Sequence, residues 1–416
     1  MTKYVIENGL RKVKPYYLTY KTPVKLRWCG RTLTKIFQTD FGEREEDIVS
    51  DIKNNHLYIL SNVGRAGGPT EIKGWDLLQS RQVDGKDVIY HQKHKHEPSV
   101  PWVHESIGIA IIYQDSDLVV VNKPAGIPTH ATGSYMYNSV VEILKEQLGT
   151  DSIWPCHRLD KVTSGVLILA KSKEATCKMS KLIQEKKTST EKKYLARVKG
   201  KFPEGEYVFN CPVFSVNVNG GYLQPPNSHQ LQANSTTIFT RLSYNDDLDQ
   251  SIVLCKPITG KFHQIRIHLR NLGYPIANDF LYNPESESSN EIIKAKNQLE
   301  LELYQQLFRK YPKFEQLHQL DKYSRTDDEI VDLLEAINWD NDNTIKEALQ
   351  ILKNRQAKKV DEDKNSEQRC TTCNRKLFNV DKAVNPIIWL HALSYSLADD
   401  KNSYKFETEY PQWSHL

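Results

Sequence analysis

The segment that most constrains this chain is Cys156-His157-Arg158-Leu159-Asp160-Lys161-Val162-Thr163-Ser164-Gly165-Val166-Leu167-Ile168-Leu169-Ala170-Lys171. A charged, turn-forming stretch runs directly into 166–170, an apolar run rich in branched side chains, and the pattern predicts a loop feeding a buried strand. A carboxylate on such a loop is held rigid by the strand behind it, stays close to solvent and is free to face a substrate. An arbitrary Asp in this place more often caps a turn and pairs with a neighbour, here Arg158 or Lys161.

Composition narrows the setting. The chain has 416 residues, 39% of them hydrophobic, enough for one large domain or two to three ordinary ones. Lys and Arg number 56 against 52 Asp and Glu, a balance that neither demands nor excludes nucleic acid, so local charge must decide. Seven scattered cysteines and no secretory apolar segment point to a reducing intracellular compartment. No run of eighteen apolar residues predicts a membrane span. Basic residues at the amino end (Lys3, Arg11, Lys12, Lys14, Lys21) give a faint likeness to a transit peptide, which Pro15, Tyr16 and Tyr17 interrupt. The expected location is cytoplasmic, with mitochondrial or nuclear location as alternatives.

The string HRLDKVTSGVLILAK resembles the signature HRLDxxTSGxxxxAK of the RluA-type pseudouridine synthases at every fixed position. Three further stretches are similar to motifs of that family: VVVNKPAGIPTH at 119–130, KKYLARVKG at 192–200 and TGKFHQIRIH at 259–268, the last with Lys261-Phe262 where the pattern prefers Arg-x. The resemblance implies isomerisation of uridine to pseudouridine in RNA with no cofactor. Within it Asp160 is the nucleophile, attacking C1′ of the sugar or C6 of the base. Tyr194 stacks on the extruded base and is a candidate to take its C5 proton. Arg266 is the cation expected beside Asp160, because an attacking carboxylate in a site closed by a flipped base needs a fixed, bidentate partner. His157, Arg158, Lys192, Lys193, Lys261 and His263 are the expected RNA-binding residues; Arg158 either fills the space left by the flipped base or forms a salt bridge within the turn. Over 171–201 basic residues outnumber acidic ones by about four to one, the local bias a phosphate-contacting surface requires.

The implied fold is α+β: a mixed, mainly antiparallel sheet of pseudouridine synthase type with flanking helices. The expected organisation is an amino-terminal region over 1–105 resembling a degraded small RNA-binding module, a catalytic domain over 106–284, a helical, partly disordered insertion over 285–385, and closing strands over 386–416. Hairpin strands are predicted near 111–113 and 118–121, helices over 139–148 and 174–184, and antiparallel partners over 236–242 and 251–255. The amino-terminal segment and the Trp-Leu-His-Ala near the carboxyl end look like eukaryotic, fungal-type members acting on tRNA, and the expected substrate is tRNA, in the anticodon arm at position 31 or 32. Ribosomal or other RNA, and a catalytically silent RNA-binding protein, are the alternatives; a nucleosidase lacks a second carboxylate in comparable company. No Walker lysine loop or GxGxxG argues for a nucleotide cofactor, and a monomer is expected.

No metal site is expected. His91, His94 and His96 near-alternate, but with no cysteine or carboxylate cluster beside them they read as a basic hinge touching RNA phosphate. Cys370-Thr371-Thr372-Cys373 has the spacing of half a zinc knuckle, with His391 as its main free partner.

Overall fold

The computed structural model describes residues 4–64, 68–102, 108–184, 190–211, 213, 216–218, 221–223, 233, 235–283, 369–375, 377–378, 387–398 and 403–415. Most of the insertion expected over 285–385 lies outside the described residues. The chain divides into two compact units.

The first unit contains Val13–Glu97 and Glu367–Leu377. The expected amino-terminal region ran to 105 and contained the first residues of the chain, whereas Thr2–Lys12, Pro98–Ser366 and Phe378–Leu416 belong to the second unit. The reason lies in two strands: Leu10 and Arg11 pair with Pro101 and Val100. Arg11, a residue that suggested a transit peptide, is buried, donates to Tyr137 O and Asn138 Oδ1, and covers the Tyr4 ring. The first unit is a four-stranded antiparallel sheet in the order Tyr16–Pro23, Val88–Lys95, Leu57–Ser61, Thr70–Ile72. Helices Leu33–Phe41 and Glu45–Lys53 supply Leu33, Ile36, Phe37, Ile48 and Ile52 to a core shared with Trp28, Leu57, Ile59 and Ile89. Helix Leu33–Phe41 was not foreseen. Its signals are ordinary ones: Thr32 caps the start by accepting from Lys35 N–H, and Gly42 ends it in the left-handed region at φ 65°.

The second unit is built on a ten-stranded sheet whose main path runs Glu206–Cys211, Ser235–Asn245, Gln250–Pro257, Glu191–Lys199, Leu390–Ala398, Ser164–Ala170, Leu118–Lys123, Ile111–Gln114. All these neighbours are antiparallel except one pair, Leu390–Ala398 beside Ser164–Ala170. The fold is α+β with a mixed, mainly antiparallel sheet. Helices Val140–Leu148 and Lys173–Gln184 cover one half through Val140, Ile143, Leu144, Met179, Leu182 and Ile183, packed on Val119–Val121 and 166–170. Helix Gln264–Asn271 covers the other half through Ile265 and Leu269, against Ala196, Val198, Phe239 and Val253.

Among the described residues two strands lie in the stretch 386–416, Leu390–Ala398 and Ser403–Glu407, and the second pairs with the first off the main path. Strand Leu390–Ala398 lies in the middle of the sheet, joining the half that carries residue 160 to the half that carries residues 194 and 266. A parallel neighbour requires a long crossover, and the pairing Ser164↔His391 and Gly165↔Ala392 spans one. Gly165 makes the approach possible: at φ 108°, a Cβ there would lie 2.2 Å from the Ala392 carbonyl oxygen.

Candidate active site

The Asp160 loop is clamped from behind by the stretch after strand Leu118–Lys123. Lys123, fully buried, donates from Nζ to the carbonyls of Pro124 (2.9 Å), Lys161 (3.2 Å) and Thr163 (2.8 Å). Burial pushes its pKa down to about 7, while the charge of Asp160 works in the opposite direction. Gly126 N–H donates to Lys161 O at 2.7 Å, and Thr129 Oγ1 both donates to Leu159 O and accepts from Leu159 N–H. Thr163 N–H returns to Asp160 O at 3.1 Å. With its backbone tied on both sides, the Asp160 side chain points outward, 26% exposed.

Two side chains from the start of helix Gln264–Asn271 face it. Arg266 Nη1 stands 3.6 Å and His263 Nε2 3.4 Å from Asp160 Oδ2. The loop feeding that helix is locked by Gln264, whose side-chain oxygen accepts from Lys261 N–H and Thr259 Oγ1 while its amide donates to Thr236 O and Thr237 Oγ1. His263 then turns in the left-handed region at φ 53° and bonds Nδ1 to the Tyr282 hydroxyl at 2.9 Å. Arg266 is almost fully buried, and it binds Asp279 through Nε (2.7 Å) and Nη2 (2.9 Å). Burial opposes its charge, but the bonds and charge of Asp279, with the field of Asp160, raise its pKa further. Asp279 is itself fixed by Leu281 and Tyr282 N–H groups. The guanidinium is thus oriented by one carboxylate and presents its remaining nitrogen to another, which fixes its direction in a way a flexible ammonium could not match.

Tyr194 comes from the adjacent strand Glu191–Lys199, where the pairing with Leu390–Ala398 shifts register between Lys193 and Tyr194. Such irregularities re-aim side chains next to functional sites. Its hydroxyl is 2.6 Å from that of Tyr395. Burial pushes its pKa up to about 12; the Tyr395 bond opposes the rise and the charge of Asp160 adds to it. The phenol therefore lies in the field of Asp160 and is neutral at neutral pH.

The other sequence candidates divide. Arg158 is exposed, and among the described residues no carboxylate forms a salt bridge with it, so the turn pairing weighed from sequence is not formed. His157 is not an outward group. It is neutral, with burial pushing its pKa down to about 3 and the Lys192 charge adding; Nε2 accepts from Ile168 N–H and its ring stacks on Tyr395 at 4.7 Å. It is a strut between the Asp160 loop and the central strand because its ring is needed to occupy an N–H that the sheet leaves over. Lys192 lies beside it, half-buried, and burial lowers its pKa. Lys193 pairs with Glu191 at 2.8 Å. Lys261 is half-buried on the loop before Arg266.

The RNA pseudouridylate synthase family matches residues 117–271, which contain residues 160, 194 and 266. The tRNA pseudouridine(31) synthase of Saccharomyces cerevisiae is 31% identical over 99% of this chain and 96% of its own length. The chain belongs to the RluA-type RNA pseudouridine synthases. The mitochondrial tRNA pseudouridine(32) synthase of Saccharomyces cerevisiae is 32% identical over 99% of this chain and 78% of its own, and RNA pseudouridine synthase 7 of Oryza sativa 31% identical over 99% and 92%. As a pseudouridine synthase the protein is an isomerase acting on uridine in RNA.

Two residues of this synthase's site were not assigned their roles from sequence. Asp279 is the carboxylate that orients Arg266; a buried Arg calls for an acid beside it, and that was the available signal. Tyr395 sits in a strand with no motif, and only its pairing across the sheet brings it to Tyr194. Asn278 ties the same region to the central strand, donating to Ile387 O and accepting from Trp389 N–H. Among the described residues no helix is long and apolar enough to cross a membrane.

Proposed function

We propose that the synthase acts on tRNA, in the anticodon arm at position 31 or 32, with Asp160 as nucleophile. The observation that carries this is a single one: Asp160 stands on a loop whose backbone is bonded on both sides, 3.6 Å from a guanidinium already oriented by Asp279. The names of the two yeast relatives support the substrate and the positions. In the isomerisation the N1–C1′ bond breaks, a C5–C1′ bond forms, C5 loses its proton and N1 gains one, so there is no net redox change. The attacked carbon is C1′ of the sugar or C6 of the base. In this reading the synthase works as a monomer and uses no nucleotide cofactor. The exposed Arg158 enters the space left by the flipped nucleotide, and the Tyr194 ring covers its base. The substrate is tested with purified protein and transcribed tRNAs, mapping pseudouridine at each position. Modification confined to 31 or 32, lost when that uridine is replaced by cytidine, is the expected result; modification only of ribosomal fragments, or binding without product, would overturn it.

Arg266→Lys keeps the charge and loses the double bond to Asp279. A displaced cation beside the nucleophile is expected to lower the single-turnover rate by about 10²-fold with little change in tRNA binding. Equal loss in both would assign Arg266 to RNA affinity alone.

Tyr194→Leu removes the stacking ring and is expected to weaken the rate by roughly 10–100-fold, the range for one base on one aromatic side chain. Because burial holds the phenol protonated, kcat/KM is expected to stay level between about pH 7 and 9. A tenfold climb per pH unit would make the phenolate the working base.

A further inference from the structure

His94, near the end of strand Val88–Lys95, and His96, just past it, stand two residues apart, a spacing that sends both side chains off one face of extended chain. His91 leaves from the other face, where it packs on Phe37 and binds Asp51 at 2.8 Å. Far along the chain Cys370 and Cys373 close a tight turn: Asn374 N–H donates to Cys370 O, Asn374 is left-handed at φ 54°, and Thr372 N–H points at Cys370 Sγ from 3.3 Å.

These two pieces meet inside the first compact unit. His96 Nε2 lies 3.3 Å from Cys373 Sγ and His94 Nδ1 3.5 Å from Cys370 Sγ, and all four donor atoms lie within 4.8 Å of one another. Zinc bound tetrahedrally at about 2.3 Å from sulfur and about 2.0 Å from nitrogen sets an N···S edge of roughly 3.5 Å. Both observed N···S distances match it. Both cysteines are free thiols. The partner suggested by sequence, His391, is excluded by its own bonds: Nδ1 is 2.8 Å from Ser164 Oγ and Nε2 2.6 Å from Thr408 Oγ1. Among the described residues the other group of possible ligands, Glu43, Asp51 and His91, is already neutralised, since Lys93 pairs with Glu43 and Arg375 with Asp51.

We infer that His94, His96, Cys370 and Cys373 form a structural zinc site. Two thiolates and two imidazoles select zinc over the oxygen-preferring cations, and four protein ligands leave no open position for catalysis. The ion fastens the 369–375 segment to the sheet of the first unit across a sequence separation of 277 residues, so metal binding and the docking of that segment are one equilibrium. Of the three histidines read from sequence as an RNA-contacting hinge, His94 and His96 are thereby ligands.

The test uses the full chain without a histidine tag, purified under reducing conditions. Elemental analysis is expected to find about one zinc per chain, falling below about 0.2 in the Cys370→Ser/Cys373→Ser double variant and unchanged in Cys177→Ser, whose thiol is outside the cluster. After chelator stripping, cobalt(II) is expected to restore a visible spectrum of four-coordinate, thiolate-bound metal at one equivalent. Should the double variant fail to fold, the cobalt titration of the unaltered chain decides alone. Absence of both zinc and the cobalt spectrum in that chain, or full zinc in a folded double variant, overturns the site, as does a Cys370–Cys373 disulfide persisting in reduced protein.

Discussion

Asp160→Asn is expected to lower pseudouridine formation by about 10³-fold or more while leaving the protein folded and able to bind tRNA. Removing a nucleophile outright typically costs 10³ to 10⁶ in rate. The substitution is close to isosteric, and the side chain is partly exposed. Its loss leaves the buried charge of Arg266 satisfied, because the two bonds to Asp279 remain. The melting temperature is therefore expected to move by no more than a few degrees. Mapping pseudouridine in a defined transcript, alongside a binding measurement, separates chemistry from affinity. Activity within tenfold of the unaltered enzyme would remove Asp160 from the mechanism, and release of free uracil would turn the reading toward a nucleosidase.

Gly165→Ala is expected to be the most destabilising small substitution in the catalytic unit. Its φ of 108° disfavours any side chain, at about 1–3 kcal/mol, and the new Cβ would meet Ala392 O at 2.2 Å, N at 2.6 Å and C at 2.7 Å. Those are backbone atoms of the central strand, which cannot rotate away. Separating the strands also strains the link from Ser164 through His391 to Thr408. A loss of about 4 kcal/mol is expected, lowering the melting temperature by roughly 8 °C or more. Gly205→Ala is the control: its φ is 82°, but nothing lies within 4 Å of the added atom, so only the backbone penalty of about 1–2 kcal/mol remains. If the two variants melt together, the close approach of strands is not what glycine serves at 165.

The stretch from the Asp160 turn into its strand was legible because everything that specifies it is local: charged turn residues, then an apolar run whose burial is complete from Gly165 to Ala170. Arg266 was expected beside Asp160 from the chemistry of the two side chains, and its Nη1 stands 3.6 Å from Asp160 Oδ2. His157 was misread because an imidazole beside a charged turn carries no sign of which way it faces, and here a leftover N–H of Ile168 draws it inward. His391 was named as the candidate beside Cys370 and Cys373 for a related reason: a CxxC turn says nothing about which side chains pack against it, and His94 and His96 do.

By itself the sequence determined the local elements and the chemistry they could carry: the loop with its acid, the strands, the helices and the motifs with residues 194 and 266. Periodicity and turn chemistry act over a few residues, so they can be read from a few residues. Only the tertiary structure decided that strand Leu390–Ala398 lies at the centre of the sheet, that Asp279 aims Arg266, that Tyr395 holds Tyr194, and that two histidines and two cysteines converge. Each is a pairing between positions distant along the chain, chosen by packing and by the cost of leaving buried polar groups unmatched, and no short-range pattern encodes such choices.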